Sequence, residues 1–226
     1  GLTNVSAGTE DNAMKKGNVI LLNGTSSSGK STIAEALQAV MDEPYLHTGI
    51  DHYLARLPKN LIVYSDGQTP SSAEGWLTVF KDRHLVDVIL GPLGLRLIKG
   101  MYQAIAAFAS AGNAVIVDDV IYDPRILSAA VNALRTIPVF FVGVQCPLDV
   151  AESRERARGD RAPGGARTFY NAVHAYKVYD FEVDTSLATP MECAVQIKEA
   201  MREAIPWTAF NQLDEQITKM KRLTLY

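Results

Sequence analysis

Gly24-Thr25-Ser26-Ser27-Ser28-Gly29-Lys30-Ser31 is a complete G-x-x-x-x-G-K-[ST] pattern, the spacing at which a loop wraps the phosphates of a nucleotide. Glycine at both ends permits close backbone approach. Successive N–H groups then point at phosphate oxygens, and a helix opening near Lys30 adds its positive N-terminus. Lys30 supplies a point charge for the β- and γ-phosphates. Ser31 offers a hydroxyl ligand to Mg²⁺, and Thr32 is grouped with these nucleotide-binding positions. The bland alternative is a Gly/Ser turn that merely caps a helix. The apolar run before the loop and the helical pattern after it argue for the phosphate reading.

Three further groups carry chemistry by position. Asp118 and Asp119 close the apolar run Ala114-Val115-Ile116-Val117. One carboxylate there suits Mg²⁺, a hard cation that keeps waters, and the other suits the acceptor. Spacing does not decide between them; Asp118 is taken as the metal candidate and Asp119 as the acceptor candidate. Asp51 follows Tyr45-Leu46-His47-Thr48-Gly49-Ile50, at the end of a second predicted strand. It is a general base for an acceptor hydroxyl or an N-cap for a helix over 52–57, and spacing leaves both open. Arg154 and Arg158 lie four apart in a predicted helix over 149–158 and so share a face, whereas Arg156 points elsewhere. The pair reads as a clamp for transition-state charge, with a solvated surface pattern as the alternative. Arg161 and the loop after it could hinge a closing lid.

These residues need a scaffold that gathers strand ends. Short apolar runs at 19–22, 114–117, 139–144 and 181–183 alternate with helical periodicities at 31–41, 95–111, 126–134 and 191–205. That alternation predicts an α/β fold, a parallel sheet with helices on both faces and ligands beyond the carboxyl ends of the strands. Segment 58–90 breaks the pattern with Ser/Gly/Pro turns around two runs, and is expected to be a β-hairpin-like insertion over the acceptor site. From 206 to 226, Trp207, Phe210, Leu213, Ile217, Met220 and Leu223 recur three or four apart. This predicts an amphipathic helix packed on the body or on a twin subunit, which leaves a homo-oligomer open.

The 226 residues suffice for one domain with a sizeable core. The expected division is a disordered leader over 1–13 with Met14 as natural start, a phosphate-loop kinase domain over 14–205 with its lid at 149–167, and the tail helix. A net charge of −3 gives no basic footprint for nucleic acid or anionic lipid. No apolar run is long enough for a membrane span. The leader has neither the basic nor the apolar region of a secretory signal. Cys146 and Cys193, the two cysteines, fit reduced thiols. A cytoplasmic protein is expected, acting on a small hydroxylated acceptor, with no nucleic-acid or membrane partner.

In the order Ile20 to Ser31, Gly49-Ile50-Asp51, Ser72-Ala73-Glu74-Gly75, Val117-Asp118-Asp119-Val120, Ala157-Arg158-Gly159-Asp160-Arg161 and Tyr179 to Thr185, the chain resembles the chloramphenicol phosphotransferase family. The resemblance implies a five-stranded parallel core of P-loop kinase type, ATP and Mg²⁺. It also implies phosphorylation of an amphenicol-type primary hydroxyl, the 3-OH, and hence an antibiotic-resistance enzyme. It makes Asp51 the catalytic base and matches Arg154 and Arg158, but not Arg156, to lid arginines that act with Lys30. His174 sits in a V-H pair shared with the family and is a candidate pocket residue or a structural histidine. Two departures bear on the acceptor: the insertion looks longer than the family's, bringing Trp76, Phe80 and His84 toward the acceptor mouth, and the tail is additional. Rival readings are a metabolic, nucleoside or nucleotide-sugar kinase on the same core, and an ATP-binding regulatory module. Retention of a base and both arginines argues against the module. No guanine-reading motif follows a strand, so a GTPase switch is not expected.

Overall fold

A computed structural model describes residues 15–66, 74–160, 162–176 and 178–223. The leader over 1–13, Met14, Ser72-Ala73 and Arg161 lie outside the described residues. Five strands form one parallel sheet: β1 (Val19–Asn23), β2 (Tyr45–Gly49), β6 (Ala114–Asp119), β7 (Val139–Gln145) and β8 (Phe181–Asp184), in the order β2-β6-β1-β7-β8. The crossovers run through α1 (Lys30–Val40), α3 (Pro92–Ser110) and α4 (Pro124–Leu134), then through α5 (Leu148–Arg158) and α6 (Gly165–Tyr170) between β7 and β8; α7 (Pro190–Glu203) follows the last strand and packs back on the sheet.

The sheet's apolar runs split cleanly by parity. Val19 and Leu21 join Val115, Val117 and Phe141 in one core with Ile98, Met101 and Ile105 of α3 and Ile126 and Leu134 of α4. Ile20 and Leu22 join Ile116, Phe140 and Val142 in a second core with Ile33 and Leu37 of α1 and Ile197 of α7. Side chains alternate across a strand, so a run apolar at every position is what a sheet covered on both faces requires. The predicted strands and helices are all present. β6 extends through both acidic residues, and the second strand stops at Gly49, so that Ile50 already belongs to α2 (Ile50–Leu54).

The insertion is more than a hairpin. Its two predicted arms are β4 (Trp76–Lys81) and β5 (His84–Leu90), antiparallel, with Asp82 and Arg83 at φ 50° and 64° in the connection. Two successive positive φ angles match the right-handed twist of a tight hairpin. A third strand, β3 (Ile62–Asp66), follows a 3-10 turn at Lys59–Leu61 and pairs parallel to β4, giving a separate mixed three-stranded sheet.

Helix α8 (Ala209–Leu223) lies on the body, which decides between the two packing alternatives for its inner face. Ala209, Phe210 and Leu213 are buried in the same core as α3 and α4. Asp180 accepts from Thr208 N at 2.8 Å and Ala209 N at 3.1 Å, and Arg135 pairs with Asp214 at 2.8 Å. Leu213 has no exposed surface. Leu213→Ala is therefore expected to lower the unfolding free energy by about 2–5 kcal/mol in a denaturant titration, whereas a loosely appended tail would show a change near zero. Both cysteines are buried and unbridged. Among the described residues no helix is long and apolar enough to cross a membrane.

Candidate active site

The loop after β1 turns into α1 through Gly29, which caps the helix at φ 99°, a conformation that L side chains resist. Lys30 is 8% exposed, and its Nζ donates to the carbonyls of Gly24 (2.9 Å) and Thr25 (2.7 Å). Thr25 Oγ1 donates to Ala166 O at 2.7 Å, fastening the loop to α6 (Gly165–Tyr170). Ser26, Ser27, Gly29, Lys30, Ser31 and Thr32 line a cleft of about 770 Å³ at the carboxyl edge of the sheet; Gly24, Thr25 and Ser28 stand behind that wall.

β6 runs beside β1 and β2, and its pleat sends its two acidic side chains to opposite faces. Asp118 turns toward α1, where Oδ2 accepts from Ser31 Oγ at 2.6 Å and Oδ1 lies 3.3 Å from His47 Nε2. Burial favours its neutral form, yet the contacts with His47 and Ser31 and the charge of Lys30 hold its pKa below the ordinary carboxylate value. The same carboxylate raises the pKa of His47, against the pull of burial. Gly49 is required here, because a Cβ would fall 1.9 Å from Asp118 Oδ1. Asp119 turns the other way and is 1% exposed, accepting from the Tyr102 hydroxyl of α3 and from Val120 N. Burial pushes its pKa up to about 6 despite those bonds. Asp119 is not among the residues that line the cleft, and its carboxylate is a buried partner of Tyr102.

Asp51 is exposed on the cleft wall. Gly49, not Asp51, is the N-cap of α2, and no side chain caps that helix. The capping alternative thus falls away, and the carboxylate stands at the same opening as Lys30, Ser31 and Asp118.

Helix α5 (Leu148–Arg158) presents Arg154 and Arg158 to the cleft, while Arg156 is not among the lining residues, as the four-residue spacing predicts. The two arginines are held differently. Arg154 Nη1 donates to Thr185 Oγ1 at 2.8 Å and its Nη2 to Thr185 O at 2.7 Å. Arg158 is paired at the surface with Asp160 at 2.9 Å. Behind them Glu155, buried, accepts from Gly164 N (2.8 Å) and Ala166 N (3.0 Å), pinning the start of α6. Leu85 N donates to Pro163 O at 2.8 Å and Thr168 Oγ1 to Leu85 O at 2.9 Å, so this arginine-bearing segment is tied to the insertion as well.

Other expected pocket residues lie elsewhere. His174 Nδ1 meets the Tyr179 hydroxyl at 2.6 Å, and Asn23 Nδ2 donates to that hydroxyl at 2.9 Å, in a network behind the loop. Burial lowers the pKa of His174, and it is not among the residues that line the cleft. Trp76 is half-buried, its ring 6.4 Å from Tyr122, which in turn lies 4.8 Å from Phe169 of α6. It therefore packs between insertion and body, off the nucleotide cleft. Phe80 stacks on Tyr64 at 6.0 Å, and His84 Nδ1 stays with Asp82 O in the hairpin turn at 2.9 Å. Residues that sequence reasoning missed are His47, His52 and Thr185, all on the cleft. Strand alternation puts His47 on the same face as Gly49, which is the one signal that could have found it.

A divalent cation and a nucleotide fit these residues. Ser31 and Asp118 bring two oxygens within 2.6 Å of each other at the helix start, and hard cations take oxygen ligands. Among the described residues no cluster of three or more His, Cys, Asp or Glu could hold a metal ion by itself. A second hollow of about 390 Å³ lies at the opposite edge of the sheet, among Leu134, Val139, Trp207 and Phe210, away from all of these groups.

Comparison with known proteins shows the family and the fold. Two curated proteins of Mycobacterium tuberculosis, from strains CDC 1551 and H37Rv, are each named "Putative O-phosphotransferase". Each is 35% identical over 210 residues, covering 88% of this chain and 89% of the relative. Among solved structures, the APS kinase of M. tuberculosis has a TM-score of 0.58 at 16% identity, over 83% of this chain and 98% of its own. The tunicamycin resistance protein of Deinococcus radiodurans has 0.54 at 18%, over 82% and 96%. A sugar kinase of Janibacter has 0.57 at 15%, over 83% and 98%. At such identities these likenesses show the fold, that of P-loop kinases. The model of the chloramphenicol phosphotransferase-like proteins matches residues 17–202. The chain belongs to the chloramphenicol phosphotransferase-like family.

Proposed function

We propose that this phosphotransferase moves the γ-phosphoryl group of ATP, with Mg²⁺, onto a hydroxyl of a small molecule, and that a chloramphenicol-like primary alcohol is its acceptor. The observation that carries the reading is one cleft lined at once by Lys30, Ser31, Asp118, Asp51, Arg154 and Arg158. Each of these supplies a part of phosphoryl transfer, which needs positioning and charge stabilisation more than covalent chemistry.

The loop N–H groups and Lys30 hold the phosphates. Ser31 and Asp118 would hold the cation, which when bound neutralises charge on the β- and γ-oxygens. Asp51 accepts the proton of the acceptor hydroxyl and aims its oxygen at phosphorus; the new O–P bond forms as the bridging bond to the β-phosphate breaks, leaving ADP. Arg154 and Arg158 stabilise the charge that develops on the transferred group. Asp118 is kept ionised by its partners, as a cation ligand must be.

The test is incubation of purified protein with ATP, Mg²⁺ and, separately, chloramphenicol, a nucleoside, a sugar and an aminoglycoside, each then weighed by mass spectrometry. One added phosphoryl group on chloramphenicol is expected. Phosphorylation of another acceptor alone would replace the acceptor and keep the reaction; no phosphorylated product at all would overturn the reading.

A further inference from the structure

Thr185 follows β8 and adds one more rung to the sheet, its N–H donating to Gln145 O at 3.0 Å. The hydroxyl has one proton to give. Ser28 O lies 2.7 Å from Thr185 Oγ1 and Gln145 O lies 3.4 Å away, so the proton goes to Ser28. The lone pairs then remain for Arg154 Nη1 at 2.8 Å, while the Thr185 carbonyl takes Nη2 at 2.7 Å. Arg154 Nη1 also reaches Ser28 O at 3.4 Å and Cys146 Sγ at 3.5 Å.

Arg154 is thus fixed before any phosphate arrives, by a side chain that simultaneously holds the phosphate loop. The wall this makes is close to the reacting end. A Cβ on Gly29 would lie 3.5 Å from Thr185 Cγ2 and 3.7 Å from Arg154 Nη1. Gly29 is the residue through which the loop enters α1. Thr185 itself is 9% exposed.

We infer that Thr185 is a positioning residue for phosphoryl transfer, acting through Arg154: its hydroxyl locks the guanidinium and the Ser28 carbonyl in one relation, so the cation meets developing charge without reorganising. Preorganised groups stabilise a transition state more than groups that must move, and misplacement by about 1 Å can slow a reaction about 10²-fold. Arg158, paired among the described residues with the exposed Asp160, is the arginine left to adjust. The inference rests on the phosphotransferase reading above and goes beyond it by assigning unequal roles to the two arginines.

Thr185→Val keeps the shape and removes the hydroxyl; Thr185→Ser keeps the hydroxyl. Each is measured for kcat with the phosphorylated acceptor as product, and for the dissociation constant of a non-hydrolysable ATP analogue by calorimetry. Thr185→Val is expected to lower kcat about 10- to 100-fold while analogue affinity changes less than about threefold, and Thr185→Ser to stay within about threefold of wild type. Arg154→Lys, which spares the Thr185–Ser28 bond, should show the same split and serves if the valine variant folds poorly. A valine variant at wild-type kcat, a serine variant as slow as valine, or a loss confined to affinity overturns the inference. If wild type binds the analogue but phosphorylates no acceptor, the acceptor reading falls, and the same comparison is then decided on ATP hydrolysis. Wild type that binds no ATP analogue overturns both.

Discussion

An Asp51→Asn enzyme is expected to bind ATP as wild type does and to phosphorylate its acceptor about 10²- to 10⁴-fold more slowly. The substitution is nearly isosteric and removes the carboxylate's charge and, with it, the ability to take a proton. Asp51 caps no helix through its side chain, since Gly49 occupies the cap position, so folding should be little changed. It lines the same cleft as the loop proposed to hold the phosphates but is not part of that loop, so nucleotide affinity should survive. The expected loss corresponds to about 3–5 kcal/mol of barrier, the scale of one positioned base. Steady-state kcat together with calorimetric ATP affinity checks it. Full activity in the variant would remove the base assignment, and loss of ATP binding would move Asp51 to a different role.

Lys30→Ala should fail in a different way, weakening ATP binding about 10- to 100-fold and kcat by about a further 10²-fold, because in the proposed mechanism the lysine serves both the bound phosphates and the group in flight. Its Nζ is buried against the Gly24 and Thr25 carbonyls. Removing it also withdraws a charge that helps hold Asp118 ionised, so part of the loss in turnover is expected to come through that carboxylate. Circular dichroism and the same two measurements separate the cases. A variant with wild-type affinity and turnover would contradict the nucleotide-binding role of the loop itself.

The difference between what was legible in the sequence and what was not has a physical origin. The phosphate loop is a local object, fixed by residues within eight positions of one another, and it folds as the pattern requires. The arginine face is also local, because a helix of known register places Arg154 and Arg158 together and Arg156 apart. Asp118 and Asp119 resist the same treatment. They sit in a strand apolar on both faces, so no periodicity marks which side is which; the answer comes from Ser31 and Tyr102, contributed by two different helices. The third strand of the insertion was hidden for a related reason. Ile62–Asp66 has exposed Val63 and Tyr64, and it exists because β4 offers a free edge. Trp76 and His84 were expected at the acceptor mouth on sequence proximity alone, whereas strand pleat and turn geometry send them into an aromatic packing layer and a hairpin tip. Thr185 was visible as part of a family-like stretch, but its contacts with Ser28 and Arg154 span 157 and 31 residues of sequence, and nothing local announces them.

The most direct test of the account follows the phosphoryl group itself. In a single turnover with γ-labelled ATP, excess enzyme, Mg²⁺ and chloramphenicol, label should pass from ATP to the acceptor at its hydroxyl, with little appearing as inorganic phosphate, and Asp51→Asn should hold the labelled ATP unreacted. Label that stays in ATP, or is released only as inorganic phosphate with every hydroxylated acceptor offered, would contradict the assignment of this cleft to hydroxyl phosphorylation.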